Sequence, residues 1–374
     1  MKHSKKIVIV SILSSVAILM FNFVSPPKIK DPVKLKELKE ELGREMFFDK
    51  ALSNPDGESC ATCHAPRTAF ADVFNEAFSE GIIDGRFANR NSPGLTYSRY
   101  TPSLYFDEKE GAWMGGLFWD GRSNNLEHQL SGPLFAKAEM NNTDTAMVVA
   151  ELPKATYYKL YKQIYGKTRD KVLTFQNMMD ALAHFERSNE LHEFSSKFDY
   201  YLAGQATLND EEKRGMNLFN DPTKGNCASC HTSTPDPVSG EVLFTNFHYE
   251  NLGVPRNEDN KFYTTIPAIN PDGKAAIDYG LGKVVNDPRQ NGKFRVPTLR
   301  NVKYTAPYFH NGYFKTLEET VHFINTRERG NYAAPEISET VNRHHTGDRG
   351  LNEAEEKDII AFLLTLSDGY NQEQ

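Results

Sequence analysis

The chain has 374 residues, too many for one small hydrophobic core, so we expect two domains of ordinary size. Its net charge is −7, and acidic and basic residues are mixed along the chain without the basic stripe that binding to a phosphate backbone requires. This composition argues against nucleic acid as a partner.

The N-terminal residues have the pattern of an export signal. Three lysines among the first six residues precede an apolar stretch that ends at Pro26 and Pro27. The stretch is long for a signal peptide and lacks a small-x-small cleavage site before Pro26, so residues 1–27 are either a cleaved signal peptide or a retained membrane anchor. We therefore expect a periplasmic or otherwise exported protein, released or membrane-anchored.

The first predicted helix covers residues 33–47, ahead of the first cysteine pair. Its apolar residues recur at helical spacing: Leu35, Leu38, Leu42 and Met46. A further helix over about 174–192 is expected to link the domains. We place the domain boundary near Ala203 to Asn209, where the sequence GQATLND interrupts the pattern.

A helix is also predicted immediately before the second cysteine pair. Asn209 is a good N-cap and Glu212 follows three residues later, which is the spacing of a capping box. Met216 and Phe219 then continue the apolar face. This helix is the predicted counterpart of residues 33–47.

The remainder of the second half is predicted to contain a long excursion and a last helix. Residues 235–300 are rich in Gly, Pro and Asn and lack sustained periodicity, which indicates a long loop with short strands. Asn352 with Glu355 opens the last helix. Its predicted buried face consists of Ile359, Ile360, Phe362, Leu363 and Leu366.

All four cysteines fall in two motifs of the form C-x-x-C-H. They are Cys60-Ala61-Thr62-Cys63-His64 and Cys227-Ala228-Ser229-Cys230-His231. In this spacing, two thiols add to the vinyl groups of one haem and the following histidine binds its iron. A zinc site or a thioredoxin-like pair also uses C-x-x-C, but neither requires a histidine after each second cysteine. The motifs therefore predict two c-type haems.

The sequence repeats itself around these motifs. LGREMFFDKALSNPDGESCATCH in the first half corresponds to RGMNLFNDPTKGNCASCH in the second, and residues 118–129 correspond to residues 309–320. We predict a mainly α fold with long loops and two cytochrome c-like domains, each with one covalently bound c-type haem. The N-terminal haem domain is assigned to residues 28–203 and the C-terminal one to residues 204–374.

Taken together, these features resemble the bacterial di-haem cytochrome c peroxidase family, including its MauG-like branch, over essentially the whole mature chain. The resemblance rests on blocks in the family's order: CATCH, RNSP (90–93), FWDGR (118–122), LEHQ (126–129), AEM (138–140), FERS (185–188), CASCH, VPTLRN (296–301) and TAPYFHNG (305–312). It implies a peroxidatic N-terminal haem with His64 as iron ligand and an electron-transfer C-terminal haem with His231 as iron ligand.

The same resemblance implies roles for three side chains near the first haem. Trp119, of the FWDGR block, matches an electron bridge between the haems, although tryptophan is more often simply a core residue. Gln129 and Glu139 match the family's distal residues. A carboxylate at this place can take the proton from the near oxygen of peroxide and return it to the far one. Without the resemblance, Glu139 would be read as a solvated surface residue.

The resemblance also implies a calcium ion between the domains. The matching ligands are the side chain of Asn91 and the backbone carbonyls of Thr305 and Pro307. Oxygen ligands from both halves suit a hard ion that keeps several waters. On its own, Asn91 would be read as a turn residue ahead of Pro93.

The sequence departs from the family at the axial positions of both irons. No histidine lies between Ala65 and Arg90, where classical peroxidases carry the one that caps the resting iron, so we expect an open or water-bound N-terminal iron. The second-haem axial position, Met or Tyr in the family, is Ile324, which cannot bind iron. The ligand is therefore unassigned or missing, and the nearby candidates are His322, Tyr332, His344 and His345. His322 is expected to face away, since two helical residues turn it by roughly 200°.

Three functions follow from these features. The first is reduction of hydrogen peroxide with electrons from a small donor protein, either a cytochrome c or a cupredoxin. The second is MauG-like oxidation of a protein or other large substrate. The third is a plain di-haem electron carrier, which predicts two six-coordinate, low-spin haems and has no use for Gln129 or Glu139.

Overall fold

The computed structural model describes residues 29–371, and the predicted signal or anchor segment 1–27 lies outside them. The described chain is mainly helical. Its α-helices are α1 (Pro32–Phe47), α2 (Cys60–Cys63), α3 (Leu126–Phe135), α4 (Thr145–Glu151), α5 (Tyr158–Tyr165), α6 (Lys171–Glu186), α7 (Lys197–Leu202), α8 (Asp210–Asn220), α9 (Leu281–Val285), α10 (Leu317–Thr326) and α11 (Glu353–Leu364). Among residues 29–371, no helix is both long and apolar enough to cross a bilayer.

The first hydrophobic core is organised by the packing of α1 against α6. The two helices approach so closely at Gly43 that a Cβ there would lie 2.0 Å from the carbonyl oxygen of Ala181. Phe47, Phe70 and Phe185 pack against one another beside this crossing, with ring centroids 5.1–6.2 Å apart. The predicted helix at 33–47 is confirmed, and its apolar face lies in this core.

The second core repeats this arrangement with α8 and α11. A Cβ at Gly215 would lie 1.8 Å from the carbonyl oxygen of Asp358. Phe219, Phe244 and Phe362 form the matching aromatic cluster. Both predicted capping boxes are present, at Asn209–Glu212 and Asn352–Glu355, and the predicted apolar face of α11 is buried: Ile359, Ile360, Phe362, Leu363 and Leu366.

The repeat between residues 118–129 and 309–320 is confirmed in the backbone. An isolated bridge joins Leu117 to Ser123 in the first copy and Tyr308 to Phe314 in the second. Each copy continues into a capped helix, α3 or α10. The two segments therefore fold alike, as expected of an internal duplication.

Short strands lie in the long loops, as predicted for residues 235–300. Strands β3 (Tyr249–Glu250) and β4 (Phe294–Arg295) pair antiparallel within that excursion. A hairpin of β1 (Tyr105–Asp107) and β2 (Ala112–Met114) belongs to the first half, and a bridge from Met114 to His248 joins it to the excursion. The excursion therefore packs against the first half of the chain.

The predicted linking helix over 174–192 is partly wrong. Helix α6 ends at Glu186 and is a core element of the first half, packed on α1. Beyond it, Ser188 N–H donates to the carbonyl of Phe185, and a separate 3-10 turn follows at Asn189–Leu191. Ser and Asn favour such local turns over a continued helix, which explains the early end.

Helix α7 packs with the second core. Phe198 stacks edge-on against Phe244 and Phe362. Asp199 accepts two hydrogen bonds, of 2.9 and 3.0 Å, from the fully buried guanidinium of Arg300. The domain boundary near Ala203 stays a prediction. Helix α7 precedes that position in the sequence but packs in the second core.

Candidate functional site

The first C-x-x-C-H motif forms a single helical turn, α2. Ser59 and Thr62 make a capping box that closes this turn. His64 follows, and its Nδ1–H donates to the carbonyl oxygen of Phe70 at 2.8 Å. Burial holds the pKa of His64 below its usual value, so the ring is neutral. Its Nε2 then carries a lone pair and is free to bind a metal.

The second motif presents the same arrangement. His231 Nδ1–H donates to the carbonyl oxygen of Phe244 at 3.0 Å, and burial lowers the pKa of His231 to about 4. Burial also raises the pKa of Cys227 to about 12 and that of Cys230 to about 11. None of the four cysteines of the chain forms a disulfide, so both pairs are available to bind a cofactor.

A cavity of about 290 Å³ adjoins the second motif. Cys227, Cys230 and His231 line one part of it, and one face of α10 lines another part. The α10 residues are Leu317, Thr320, Val321 and Ile324. The cavity continues to Trp119, so an aromatic side chain of the first half borders the binding space of the second.

Trp119 is fixed between the two halves by hydrogen bonds in both directions. Its Nε1–H donates to the carbonyl oxygen of Asn91 at 2.9 Å, and its own carbonyl accepts from the backbone N–H of Arg295 at 2.8 Å. Arg90 lies alongside and forms ion pairs with Asp120 at 2.7 Å and Asp278 at 2.6 Å. The indole is therefore held rigidly, half-buried, at the junction of the halves.

Gln129 is placed by helix α3, which begins at the cap Asn125. The side-chain Oε1 of Gln129 is buried and accepts no hydrogen bond from any residue of the described range. A buried amide oxygen without a donor is costly, which indicates that it faces a group or solvent absent from the polypeptide. This is the orphaned atom expected of a residue that faces a ligand.

Glu139 follows α3 and lies close to the first motif. The backbone N–H of Ile82 donates to its carbonyl at 3.1 Å, and Gly81 is so close that a Cβ there would lie 2.3 Å from the carbonyl oxygen of Ala138. Burial raises the pKa of the Glu139 carboxyl, partly offset by Arg122. Its charge, with that of Glu58, contributes to the raised pKa of Cys63. The structure thus brings Glu139 to the first motif.

Glu58 was not among the predicted site residues, and the structure adds it to this site. Burial raises the pKa of Glu58 to about 7, and the neighbouring charge of Glu139 acts in the same direction. A negative charge on Glu139 disfavours a second negative charge on Glu58, so the two carboxyls resist ionising together. Nothing in the local sequence signals this pair, because Glu58 and Glu139 are far apart along the chain.

The three residues predicted to bind calcium line the same cavity as Trp119. The backbone N–H of Asn91 donates to the carbonyl of His310 at 2.8 Å, and a Cβ on Gly94 would lie 3.1 Å from the Thr305 methyl group. Residues 90–94 therefore pack directly on 305–310. Within the described chain, no group of three or more His, Cys, Asp or Glu side chains could hold a metal. The predicted set of amide and carbonyl oxygens is of a different kind and stays a prediction.

The structure separates the four candidates for the second axial ligand. His322 faces away from the cavity, as expected, and its Nδ1 lies 3.1 Å from the carboxylate of Glu356. Tyr332 shares a hydrogen bond of 2.9 Å with the hydroxyl of Thr326. His344 is exposed and is not part of the cavity lining. His345 does line the cavity, but it is also exposed.

Two buried polar groups of the cavity went unnoticed in the sequence. His310 stacks on Phe294 with centroids 3.5 Å apart, and its Nε2 has no hydrogen-bond partner among residues 29–371. Burial lowers the pKa of His310 to about 3. Arg295 is half-buried, its buried Nε is also without a partner in that range, and no described carboxylate forms an ion pair with it. His310 belongs to the TAPYFHNG block and Arg295 directly precedes the VPTLRN block, but only the fold shows that these two side-chain atoms lack partners.

Comparisons with known proteins agree with these features. A family model described as di-haem cytochrome c peroxidase matches residues 37–207. The methylamine utilization protein MauG of Paracoccus denitrificans is 32% identical over 349 residues, which cover 87% of this chain and 88% of that protein. The cytochrome c551 peroxidase of Nitrosomonas europaea is 30% identical over 87% of this chain and 79% of its own length.

A solved structure is similar across nearly the whole described chain. The di-haem peroxidase BthA from Burkholderia thailandensis superposes with a TM-score of 0.78 and 33% identity, and the match covers 91% of this chain and 87% of BthA. A MauG-like protein associated with microbial copper homeostasis superposes with a TM-score of 0.69 and 29% identity, over 92% of this chain and 94% of that one. Unlike the family model, these matches extend over both halves.

Proposed function

The chain belongs to the di-haem cytochrome c peroxidase family, which includes MauG, and from this premise we propose that it reduces hydrogen peroxide at the N-terminal haem. Electrons reach that haem through the C-terminal one. The relatives are oxidoreductases, so membership favours an enzyme over the plain electron carrier. The observation that carries the proposal is the half-buried, raised-pKa carboxyl of Glu139 beside the first C-x-x-C-H motif.

The residues around the second motif fit a c-type haem. His231 offers an unprotonated Nε2, and apolar side chains line the cavity beside it. The unpaired guanidinium of Arg295 and the orphaned Nε2 of His310 suit the carboxylate groups at the edge of a porphyrin. His64 repeats the ligand geometry at the first motif. Two c-type haems, bound through Cys60 and Cys63 and through Cys227 and Cys230, are therefore proposed as the cofactors.

Bound haem supplies an iron that binds peroxide and exchanges electrons. Glu139 supplies the proton chemistry: its carboxylate accepts the proton of the near peroxide oxygen and returns it to the far oxygen, which leaves as water. Burial raises the pKa of this carboxyl toward neutral pH. A group whose pKa lies nearer the working pH can both accept and release a proton. The buried Oε1 of Gln129 accepts a hydrogen bond from the peroxide and orients it.

Trp119 is proposed to carry electrons between the haems. Its indole borders the cavity of the second motif. Its Nε1–H donates to the carbonyl of Asn91, and Pro93, two residues further along, lies near His64. A rigid aromatic group at this junction shortens the gap between the two cofactors. The hydrogen bonds on both sides keep that gap constant.

A calcium ion is proposed at Asn91, Thr305 and Pro307, where residues of the two halves meet. Support comes from their common position along the cavity and from the hydrogen bond between Asn91 and His310. Oxygen ligands drawn from both halves would fix the relative position of the haems. Calcium chelation is expected to slow turnover without removing covalently bound haem.

The direct test of peroxidase activity is steady-state oxidation of a reduced small cytochrome c or cupredoxin by hydrogen peroxide. The protein is produced in a host that matures c-type cytochromes, and the donor is monitored optically. Peroxide-dependent donor oxidation that saturates with both substrates supports the proposal. Oxidation no faster than without the protein, in a preparation that contains both haems, contradicts it.

MauG-like oxidation of a protein or other large substrate is the second candidate. It is favoured by the missing capping histidine between Ala65 and Arg90 and by the 32% identity to MauG. This branch predicts that the resting protein reacts with peroxide without prior reduction. A resting-state EPR spectrum with only low-spin, bis-histidine signals from the N-terminal haem would contradict the open iron. Slow donor turnover together with rapid reaction of the resting protein would favour this candidate.

The cellular location is also a proposal. The basic and apolar residues 1–27 are typical of export, and haem attachment through C-x-x-C-H motifs is consistent with an exported, periplasmic protein. Mass spectrometry of the protein isolated from its membrane and soluble fractions decides between a cleaved signal and a retained anchor. A mature N-terminus near Lys28 would establish cleavage.

A further inference from the structure

Helix α10 presents an apolar face to the cavity on which His231 also lies. Leu317, Val321 and Ile324 line the cavity at intervals of four and three residues, so they share one face. Thr320 is the remaining member of this face, and its hydroxyl donates to the carbonyl of Thr316 at 2.9 Å. None of these side chains offers the nitrogen, sulfur or carboxylate oxygen that iron binds.

The loop after α10 returns to this face, but its cavity-lining histidine is turned to the rim. The N–H of Gly347 donates to the carbonyl of Ile324 at 2.7 Å, which fixes the loop against α10. His345 Nδ1 lies 3.2 Å from the side-chain amide Nδ2 of Asn226, the residue before Cys227. His345 therefore lies beside the attachment cysteine, exposed to solvent.

The hydrogen bond of His345 also involves its ring differently from those of His64 and His231. The amide Nδ2 of Asn226 is a donor, so Nδ1 of His345 accepts and the proton of the neutral ring resides on Nε2. In His64 and His231 the order is reversed, because Nδ1–H donates to a carbonyl and leaves Nε2 free. His345 thus differs from both predicted iron ligands.

We propose that the C-terminal haem iron has no protein ligand on the side of α10 and binds small uncharged diatomic molecules there, between the iron and Leu317, Val321 and Ile324. This inference rests on the proposed two-haem centre. An apolar wall gives no hydrogen bond to a charged or strongly polar ligand, so carbon monoxide and nitric oxide are favoured over peroxide. The polar residues Gln129 and Glu139 give the N-terminal site the opposite preference.

The test is titration of the dithionite-reduced holoprotein with carbon monoxide, followed in the Soret band. Compared with the wild type, an Ile324→Met variant is expected to bind one equivalent less per chain, because the thioether occupies the iron. Its oxidised C-terminal haem should also become low-spin by EPR. Ile324→Leu, the matched control, retains an apolar side chain and should bind as much carbon monoxide as the wild type.

Equal carbon monoxide uptake by the wild type and Ile324→Met would overturn the proposal. A gain of one equivalent in His345→Ala would also overturn it, by identifying His345 as a ligand of the parent protein. Peroxide-dependent oxidation of a reduced cytochrome c is measured on the same preparations. Because carbon monoxide uptake is counted without peroxide, loss of the proposed peroxidase function would leave the result on Ile324 intact.

Discussion

The two halves of the molecule share a framework that orients a histidine after a cysteine pair. Each half crosses two helices at a glycine, Gly43 or Gly215, and places an aromatic cluster beside the crossing. In each half the histidine donates to the carbonyl of a phenylalanine with positive φ, 57° at Phe70 and 51° at Phe244. The duplication has therefore kept the backbone that holds the proposed iron ligand.

The halves differ on the opposite side of the proposed haems. When α3 is aligned with α10, Gln129 corresponds to Thr320, and Glu139 corresponds to Gly330. One half thus presents an orphaned amide oxygen and a carboxyl of raised pKa, whereas the other presents an apolar wall with Ile324. The two halves therefore share one framework, and their different distal side chains allow a different chemistry at each proposed haem.

The largest effect that tests this difference is expected from Glu139→Gln. Removal of the proton-transfer group should reduce the rate of peroxide reduction by about 10²–10⁴-fold, the range typical of general acid–base catalysis. Thr320→Ala, at the position of Gln129 in the other half, should leave the rate within a factor of about two, because Thr320 lies in the second half and its hydroxyl is bonded to the Thr316 carbonyl rather than to a proton-transfer group. Stopped-flow peroxide consumption at equal haem content measures both. Similar rates for all three proteins would remove Glu139 from the reaction.

The cores of the two halves differ at Glu186, which aligns with the apolar Leu363 of α11. Glu186 is fully buried, its Oε2 has no hydrogen-bond partner within residues 29–371, and burial raises its pKa to about 8. Because the folded-state pKa lies above the unfolded value of 4.5, the unfolded chain loses this proton first as the pH rises. The free energy of unfolding should therefore fall between about pH 4.5 and 8, by at most about 1.4 kcal/mol per pH unit.

A Glu186→Gln variant should lose this pH dependence. Urea denaturation at pH 5.5, 6.5 and 7.5 compares the two proteins. The difference in unfolding free energy between variant and parent should grow with pH in favour of the variant. A difference that is independent of pH would show that Glu186 is ionised in the folded protein.

The similarity of the two helix crossings is tested by Gly43→Ala and Gly215→Ala. In both, the new Cβ would lie within 2.0 Å of a carbonyl oxygen, so the helices must separate. Overpacking of this kind costs about 1–3 kcal/mol, and we expect similar losses for the two variants. Lys213→Ala, at an exposed position of α8, is the control and should change stability by less than about 0.5 kcal/mol. A clear loss for only one glycine would show that the crossings are not equivalent.

The smallest predicted effect concerns the junction between the halves. Trp119→Phe retains an aromatic ring but removes the hydrogen bond to Asn91, which should lower stability by about 1 kcal/mol. Electron delivery from the second haem should slow, whereas the first reaction of the fully oxidised protein with peroxide should not change. Freeze-quench EPR after mixing resolves the two steps. Unchanged electron delivery would make Trp119 a structural residue only.

Local sequence patterns predicted much of the framework. The capping boxes at Asn209 and Asn352 and the repeat of residues 118–129 at 309–320 are confirmed, because caps and helical spacing depend on neighbouring residues. The end of α6 at Glu186 was not predicted. The residues that follow contain no Gly or Pro, so the sequence carries only a weak signal that the helix stops there.

The site was less predictable because its contacts join distant parts of the chain. The Arg90–Asp278 ion pair and the electrostatic coupling of Glu58 to Glu139 depend on tertiary packing and have no local signature. Ile324 could be recognised as unable to bind iron from its residue type alone. Only the fold shows that His345 returns to the cavity rim and that His322 turns toward Glu356.

The most direct test of the account is the haem content of each half. The protein, purified from a host that matures c-type cytochromes, is analysed by intact-mass spectrometry and by its Soret absorption. We predict two thioether-linked haems in the parent protein, and one in a variant with Cys227→Ala and Cys230→Ala. A colourless parent protein without any mass increase would contradict the proposed haem centre in both halves.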